Sequence, residues 1–140
     1  IRDYYASRGL GDVYKRQLES VGLDPYVGMM HTDRSGRKSL ALDLMEELRP
    51  SFADRFVLSG INNRSFQSNM FAKTDSGAVL LTDDGRRSFF KLWKSRRDEN
   101  LTHPFLKEKI QWGLVPYVQA LLLARYIRGD IDEYPPFLWK

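Results

Sequence analysis

The run Leu40-Ala-Leu-Asp-Leu-Met-Glu-Glu-Leu-Arg-Pro50 decides how this chain is read. It predicts a helix, because at about 100° per residue Leu40, Ala41, Leu42, Leu44, Met45 and Leu48 fill one broad apolar arc. Asp43, Glu46 and Glu47 are left on a narrow acidic ridge. Ser39 is the expected N-cap. Pro50, which has no amide hydrogen, either ends this helix or starts a new one.

Upstream of the ridge stands His31. An imidazole and two carboxylates are donors for a divalent ion: carboxylate oxygen suits Mg²⁺ and Mn²⁺, and the imidazole is tolerated best by Mn²⁺. His31, Asp43 and Glu46 could share one such ion, of the kind that polarises a phosphoryl oxygen and activates a water or a 3′-hydroxyl. The same residues also fit the wet side of an ordinary amphipathic helix. Glu46 or Glu47 would then pair with Arg49, and His31 would be a surface or capping histidine. Spacing alone leaves both readings open.

The flanking text reads as mainly helical. Leu18–Gly22 resembles a last helical turn capped by Gly22, with Asp24-Pro25 as the turn after it. Thr32–Lys38 is a polar loop, and Phe52–Asn62 is a second helical pattern. Met70–Lys73 and Ala78–Leu81, joined by Thr74-Asp-Ser-Gly77, predict one short β-hairpin around 70–81. Thr82 or Asp83 should cap a helix over Asp83–Glu99. On it Phe89, Leu92, Trp93 and Arg96 share one side, while Arg87, Lys91 and Lys94 form a basic stripe. That stripe is either a phosphate track, reinforced by Arg86, Arg96 and Arg97, or a solvated face. Pro104 suits the first position of a further helix with His103 as its cap, and His103 has a second reading as a phosphate contact or ligand. Gly113 and Pro116 should kink that helix before Tyr117–Arg128 continues it. Tyr134-Pro-Pro-Phe-Leu-Trp-Lys140 is an extended aromatic tail, able to stack on bases or to pack on a helix.

Composition sets the limits. With 140 residues, 42% hydrophobic and 13% aromatic, the chain is one folded domain or part of one. It has no cysteine, which excludes disulfides and thiolate metal sites. The longest apolar run, Ala120 to Ala124, is far short of a membrane span, no secretion signal is visible, and a cytoplasmic location is the default expectation. A net charge of +4 is compatible with nucleic-acid binding without being diagnostic of it. There is no G-x-S-x-G, Walker-type loop or H-E-x-x-H motif, so those catalytic schemes have no material.

Five stretches, in order, carry a resemblance: Gly22-Leu-Asp-Pro-Tyr-Val-Gly28, His31-Thr-Asp-Arg34, Ser39 to Pro50, Thr102-His-Pro-Phe-Leu106 and Tyr134 to Lys140. On them the chain resembles CRISPR-associated protein 1, the spacer-acquisition endonuclease/integrase, most nearly the type I-C version. The resemblance implies a fragment of a C-terminal helical catalytic domain over 18–140. It also implies a Mg²⁺ or Mn²⁺ centre using His31, Asp43 and Glu46, with an upstream glutamate as a further ligand, and it does not include Glu47. The implied activity joins the 3′-hydroxyl of a protospacer to CRISPR repeat DNA. The implied partners are double-stranded DNA, a second copy in a homodimer and the second CRISPR-associated protein, with no membrane. The runner-up function is a non-catalytic helical DNA-binding or scaffold module.

The family's N-terminal β domain and upstream glutamate should precede residue 18, and Glu19 lies too near Gly22 to be that glutamate. Gly9-Leu-Gly-Asp-Val-Tyr-Lys-Arg-Gln17 resembles translated sequencing-adapter sequence, so 1–17 is expected to be a non-native leader or disordered. A chain so truncated is expected to be inactive alone.

Overall fold

The amphipathic run around Asp43 becomes helix α2 (Ser39–Arg49), which buries Leu40, Ala41, Leu44 and Leu48. The computed structural model describes residues 13–32 and 34–138. Residues 13–20 form α1. It closes as expected at Gly22: with φ +81°, Gly22 lets the Leu23 amide reach back to the Leu18 carbonyl (3.0 Å) and its own amide to Glu19 (3.1 Å). Residues 13–17, within the segment expected to be a leader, are therefore helical, and Tyr14 is buried in the core. The leader reading of residues 1–12 lies outside the described residues.

Pro50 neither stops nor restarts the chain's course. Arg49, Pro50, Asp54 and Arg55 all keep right-handed helical angles, and Pro50–Asp54 form a wide turn in which the Arg55 amide bonds the Pro50 carbonyl. Proline supplies no amide for the carbonyl four residues back, and the five-residue spacing accommodates that gap. The helix continues as α3 (Arg55–Asn62). Ser39 is not the cap of α2. It is buried inside the first turn, and its hydroxyl donates to the Thr32 carbonyl at 3.4 Å.

The predicted hairpin forms, with β1 (Phe71–Lys73) antiparallel to β2 (Val79–Leu81) and Ala72 opposite Leu80. Gly77, at φ +80°, completes its turn. Helix α4 (Asp83–Asp98) follows, and the Thr82 hydroxyl accepts the Gly85 amide at 3.0 Å as its N-cap. Beyond α4 the expectation of a helix from Pro104 is corrected. The chain instead makes a second antiparallel pair, β3 (Asn100–Thr102) with β4 (Lys109–Gln111), and Pro104 lies in the turn between them. Helix α5 (Val115–Ile127) begins only after this, so Pro116 sits in a first turn, where a missing amide costs nothing.

Two packed groups hold these elements. Leu18 of α1, Leu40, Leu44 and Leu48 of α2, Val115, Ala120 and Leu123 of α5, and Phe137 of the tail make one buried core. An aromatic cluster joins α4 to the wide turn and α3: Trp93 meets Phe52 edge-on at 4.9 Å and Phe56 at 5.0 Å, and Phe89 meets Phe56 at 5.5 Å. The fold is mainly α, as its periodicity predicted. Among the described residues no helix is long and apolar enough to cross a membrane.

Candidate functional site

Asp43 projects from α2 into the loop that carries His31. Its Oδ2 accepts the backbone amides of Met29 (2.7 Å) and Met30 (3.0 Å), and its Oδ1 accepts the amide of His31 (3.1 Å). The Nδ1 of His31 bonds the same Oδ1. Upstream, the Asp24 carboxylate accepts the Tyr26 amide at 2.9 Å, and the Pro25 carbonyl accepts the Leu40 amide at 3.1 Å, which fastens the loop to the start of α2. Gly28 permits this close approach. A methyl group there would stand 2.5 Å from Cβ of Ser39, 2.6 Å from the His31 carbonyl oxygen and 3.3 Å from Oδ2 of Asp43. Burial raises the Asp43 pKa, but the bonds from Met30, the His31 ring, Met29 and the His31 amide outweigh it, and the carboxyl titrates below its usual range.

The other ring nitrogen of His31 faces Glu46, with Nε2 3.2 Å from Oε1. When Nδ1–H is donated to Asp43, Nε2 and the Glu46 carboxylate turn electron pairs toward one point, an arrangement that a cation between them would complete. The separation is close to that of adjacent donors on an octahedral ion with bonds of about 2.1 Å. His31 Nε2 and Glu46 thus fit as two ligands of a divalent ion. Asp43 is the carboxylate that fixes the ring's tautomer and orientation. Its side chain is 9% exposed and that of Glu46 61% exposed, which matches this division. Among the described residues no group of three or more such side chains is arranged to hold a metal ion.

Glu47, set aside in the sequence reading, anchors a buried polar network. Its Oε1 accepts the Gln119 amide (2.7 Å) and the Phe137 backbone amide (2.6 Å), and its Oε2 accepts the Tyr134 hydroxyl (2.6 Å). Gln119, fully buried, meets Nε2 of His103 through its carbonyl oxygen at 3.1 Å. The His103 Nδ1 accepts the amides of Phe105 and Leu106. His103 therefore caps the β3–β4 turn from within. It is 1% exposed, both its nitrogens are engaged, and burial lowers its pKa, so its reading as a phosphate contact is withdrawn.

Arg87, Lys91 and Lys94 are exposed on the side of α4 away from Phe89 and Trp93, and Arg87 lies 3.7 Å from Asp84. Arg96 is not part of this stripe, since it stacks on Trp112 at 4.6 Å and pairs with Glu99 at 2.5 Å. In the tail Phe137 is buried against His103 and Trp112, while Pro136 and Leu138 are exposed.

Residues 9–95 match the sequence model of the family described as CRISPR associated protein Cas1. The chain belongs to the Cas1 family. A curated Cas1 relative, the CRISPR-associated endonuclease Cas1 2 of Rhodospirillum rubrum, is 57% identical over 122 residues, which are 87% of this chain. The chain spans only 36% of that relative's length. Among solved structures, a casposase bound to integration product superposes with a TM-score of 0.78 at 24% identity, over 96% of this chain and 38% of that one. A partial Cas6-RT-Cas1–Cas2 complex gives 0.67 at 22% identity, over 94% and 38%. These two likenesses establish the Cas1 fold of the chain.

Proposed function

We propose that the chain carries the catalytic helix of a metal-dependent DNA endonuclease/integrase of CRISPR spacer acquisition, of the type I-C kind its motifs resemble. The observation that supports this is the His31 ring, held by Asp43 on one nitrogen and turned to Glu46 by the other. In this reading His31 Nε2 and Glu46 hold Mg²⁺ or Mn²⁺, and Asp43 keeps the ring and the 29–31 loop in place. The bound ion would supply Lewis-acid polarisation of the target phosphate and charge neutralisation at the leaving oxygen. The reaction exchanges one phosphodiester P–O bond for another, and the proton of the attacking 3′-hydroxyl passes to the leaving 3′-oxygen. Arg87, Lys91 and Lys94 offer backbone phosphates a track.

The proposed partners are double-stranded protospacer and repeat DNA, a second copy and the second CRISPR-associated protein. Support comes from the names of the neighbours, one bound to integration product and one containing Cas1–Cas2. With two ligands in place and a third of a relative's length, the isolated chain is proposed to bind metal weakly and to integrate nothing.

Mn²⁺ titration of the wild type and of His31→Ala tests the reading. Loss of binding in the variant supports it. Equal binding favours a non-catalytic helical scaffold, the reading to which the lack of a three-residue metal group among the described residues lends weight. Strand transfer by the isolated chain would overturn its proposed inactivity.

A further inference from the structure

We infer that Glu47 is a positioning residue for the His31–Glu46 pair, acting by clamping the C-terminal segment 134–137 against α2. The inference rests on the functional reading above.

A helix packed only through leucines is free to roll about its axis by small amounts, because apolar contacts are not directional. Helix α2 is also fixed by two carboxylates about one turn apart. Asp43 holds the loop on one flank through three backbone amides. Glu47 holds the tail on the other through Tyr134 and the Phe137 amide, and holds α5 through Gln119. Glu46 lies beside both on the same ridge, so the direction of its side chain follows the roll of the helix that these two bonds fix.

The clamp also spans a cleft of about 440 Å³ that Glu46 and Glu47 both line. Met30, Leu44 and Glu46 line one side, and Tyr126, Tyr134 and Pro136 line the other. The Tyr134 wall is attached to the Glu46 wall by the Tyr134–Glu47 bond at 2.6 Å. Burial and the Glu47 charge raise the Tyr134 pKa, which keeps its hydroxyl a donor to that carboxylate. Gln119 is itself tied in place, since it also meets His103, the Tyr134 hydroxyl (2.8 Å) and the Pro135 carbonyl (3.2 Å).

The test compares wild type, Glu47→Gln, Tyr134→Phe and Glu46→Gln in the isolated chain. Two readouts are used: imidazole ¹⁵N shifts of His31 without metal, and Mn²⁺-induced broadening of its ring signals. Thermal melts confirm folding, and Tyr134→Phe leaves the α2 sequence intact if Glu47→Gln unfolds. The expected result is that both clamp variants move the His31 ¹⁵N shifts toward those of Glu46→Gln. They should also weaken Mn²⁺ binding at His31 at least fivefold for Glu47→Gln and less for Tyr134→Phe. Variants that melt earlier yet keep wild-type shifts and Mn²⁺ affinity would show Glu47 to be structural only and overturn the proposal. Failure of the functional reading looks different: the wild type itself would show no broadening centred on His31, whatever the metal-free shifts do.

Discussion

The amide of Gln119 donates to the carboxylate of Glu47 at 2.7 Å, across 72 positions of sequence. It joins α5, through the fully buried Gln119, to the partly buried Glu47 of α2.

Gln119→Ala removes the partner of two groups at once, leaving Glu47 short of a donor and His103 short of an acceptor. Glu47 keeps the Phe137 and Tyr134 donors, so the orphaned buried group is His103 Nε2, and the variant should lose roughly 1–3 kcal/mol. Chemical denaturation measures it, and a loss under 1 kcal/mol would contradict the network.

Asp43→Asn places an amide where three backbone donors converge. The loop over 29–31 should detach, lowering stability by about 2–4 kcal/mol and removing His31-dependent Mn²⁺ binding. The pH dependence follows from the lowered pKa. Between the folded value and 3.8 the unfolded chain binds more protons, so Asp43's contribution is full above pH 3.8 and disappears as pH falls through the folded value. Acid titration of stability should therefore be shallower below that pH in Asp43→Asn than in wild type.

His103 shows the same sign in a different window. Its pKa is lowered, chiefly by burial, so the unfolded state takes up a proton first and stability falls as pH drops below 6.5. His103→Asn retains an acceptor for the 105–106 amides but cannot titrate. Urea unfolding at pH 7.5 and pH 5.5 should show a smaller difference for the variant, and an equal difference would exclude His103 as a source of the acid sensitivity.

The basic stripe predicts a salt effect. In a form of the protein that binds DNA, replacing Arg87, Lys91 and Lys94 together by Gln should weaken binding. It should also reduce the slope of log K against log salt by up to about 0.9 for each lost phosphate contact. An unchanged slope would make the stripe a solvated face only.

What the sequence made legible was what depends on near neighbours. Helix α2, the 70–81 hairpin and the Thr82 cap of α4 follow from 3.6-residue periodicity and turn chemistry within a few positions. The His31–Asp43–Glu46 grouping was legible too, though not that Asp43, at the edge of the cleft, would accept three backbone amides of the 29–31 loop. The β3–β4 pair was missed because its strands are three residues long and His103-Pro104 also reads as a helix start. Glu47 was missed because its partners Tyr134 and Phe137 lie 87 and 90 positions away, and no local pattern distinguishes it from Glu46.

The wide turn at Pro50–Asp54 works as a vernier. Along the continuous helix the inward residues Leu40, Leu44, Leu48, Phe52, Phe56 and Gly60 recur at every fourth position. On a regular α-helix a four-residue repeat drifts by about 40° per step, so Gly60 would end up some 200° out of phase with Leu40. A turn that takes in one extra residue sets the phase back by about 100°, and one helix can then face the leucine core with its first half and the aromatic cluster with its second. Deleting a single residue from 50–54 should therefore misalign Phe56 and Gly60 while leaving Asp43 and Glu46 where they are.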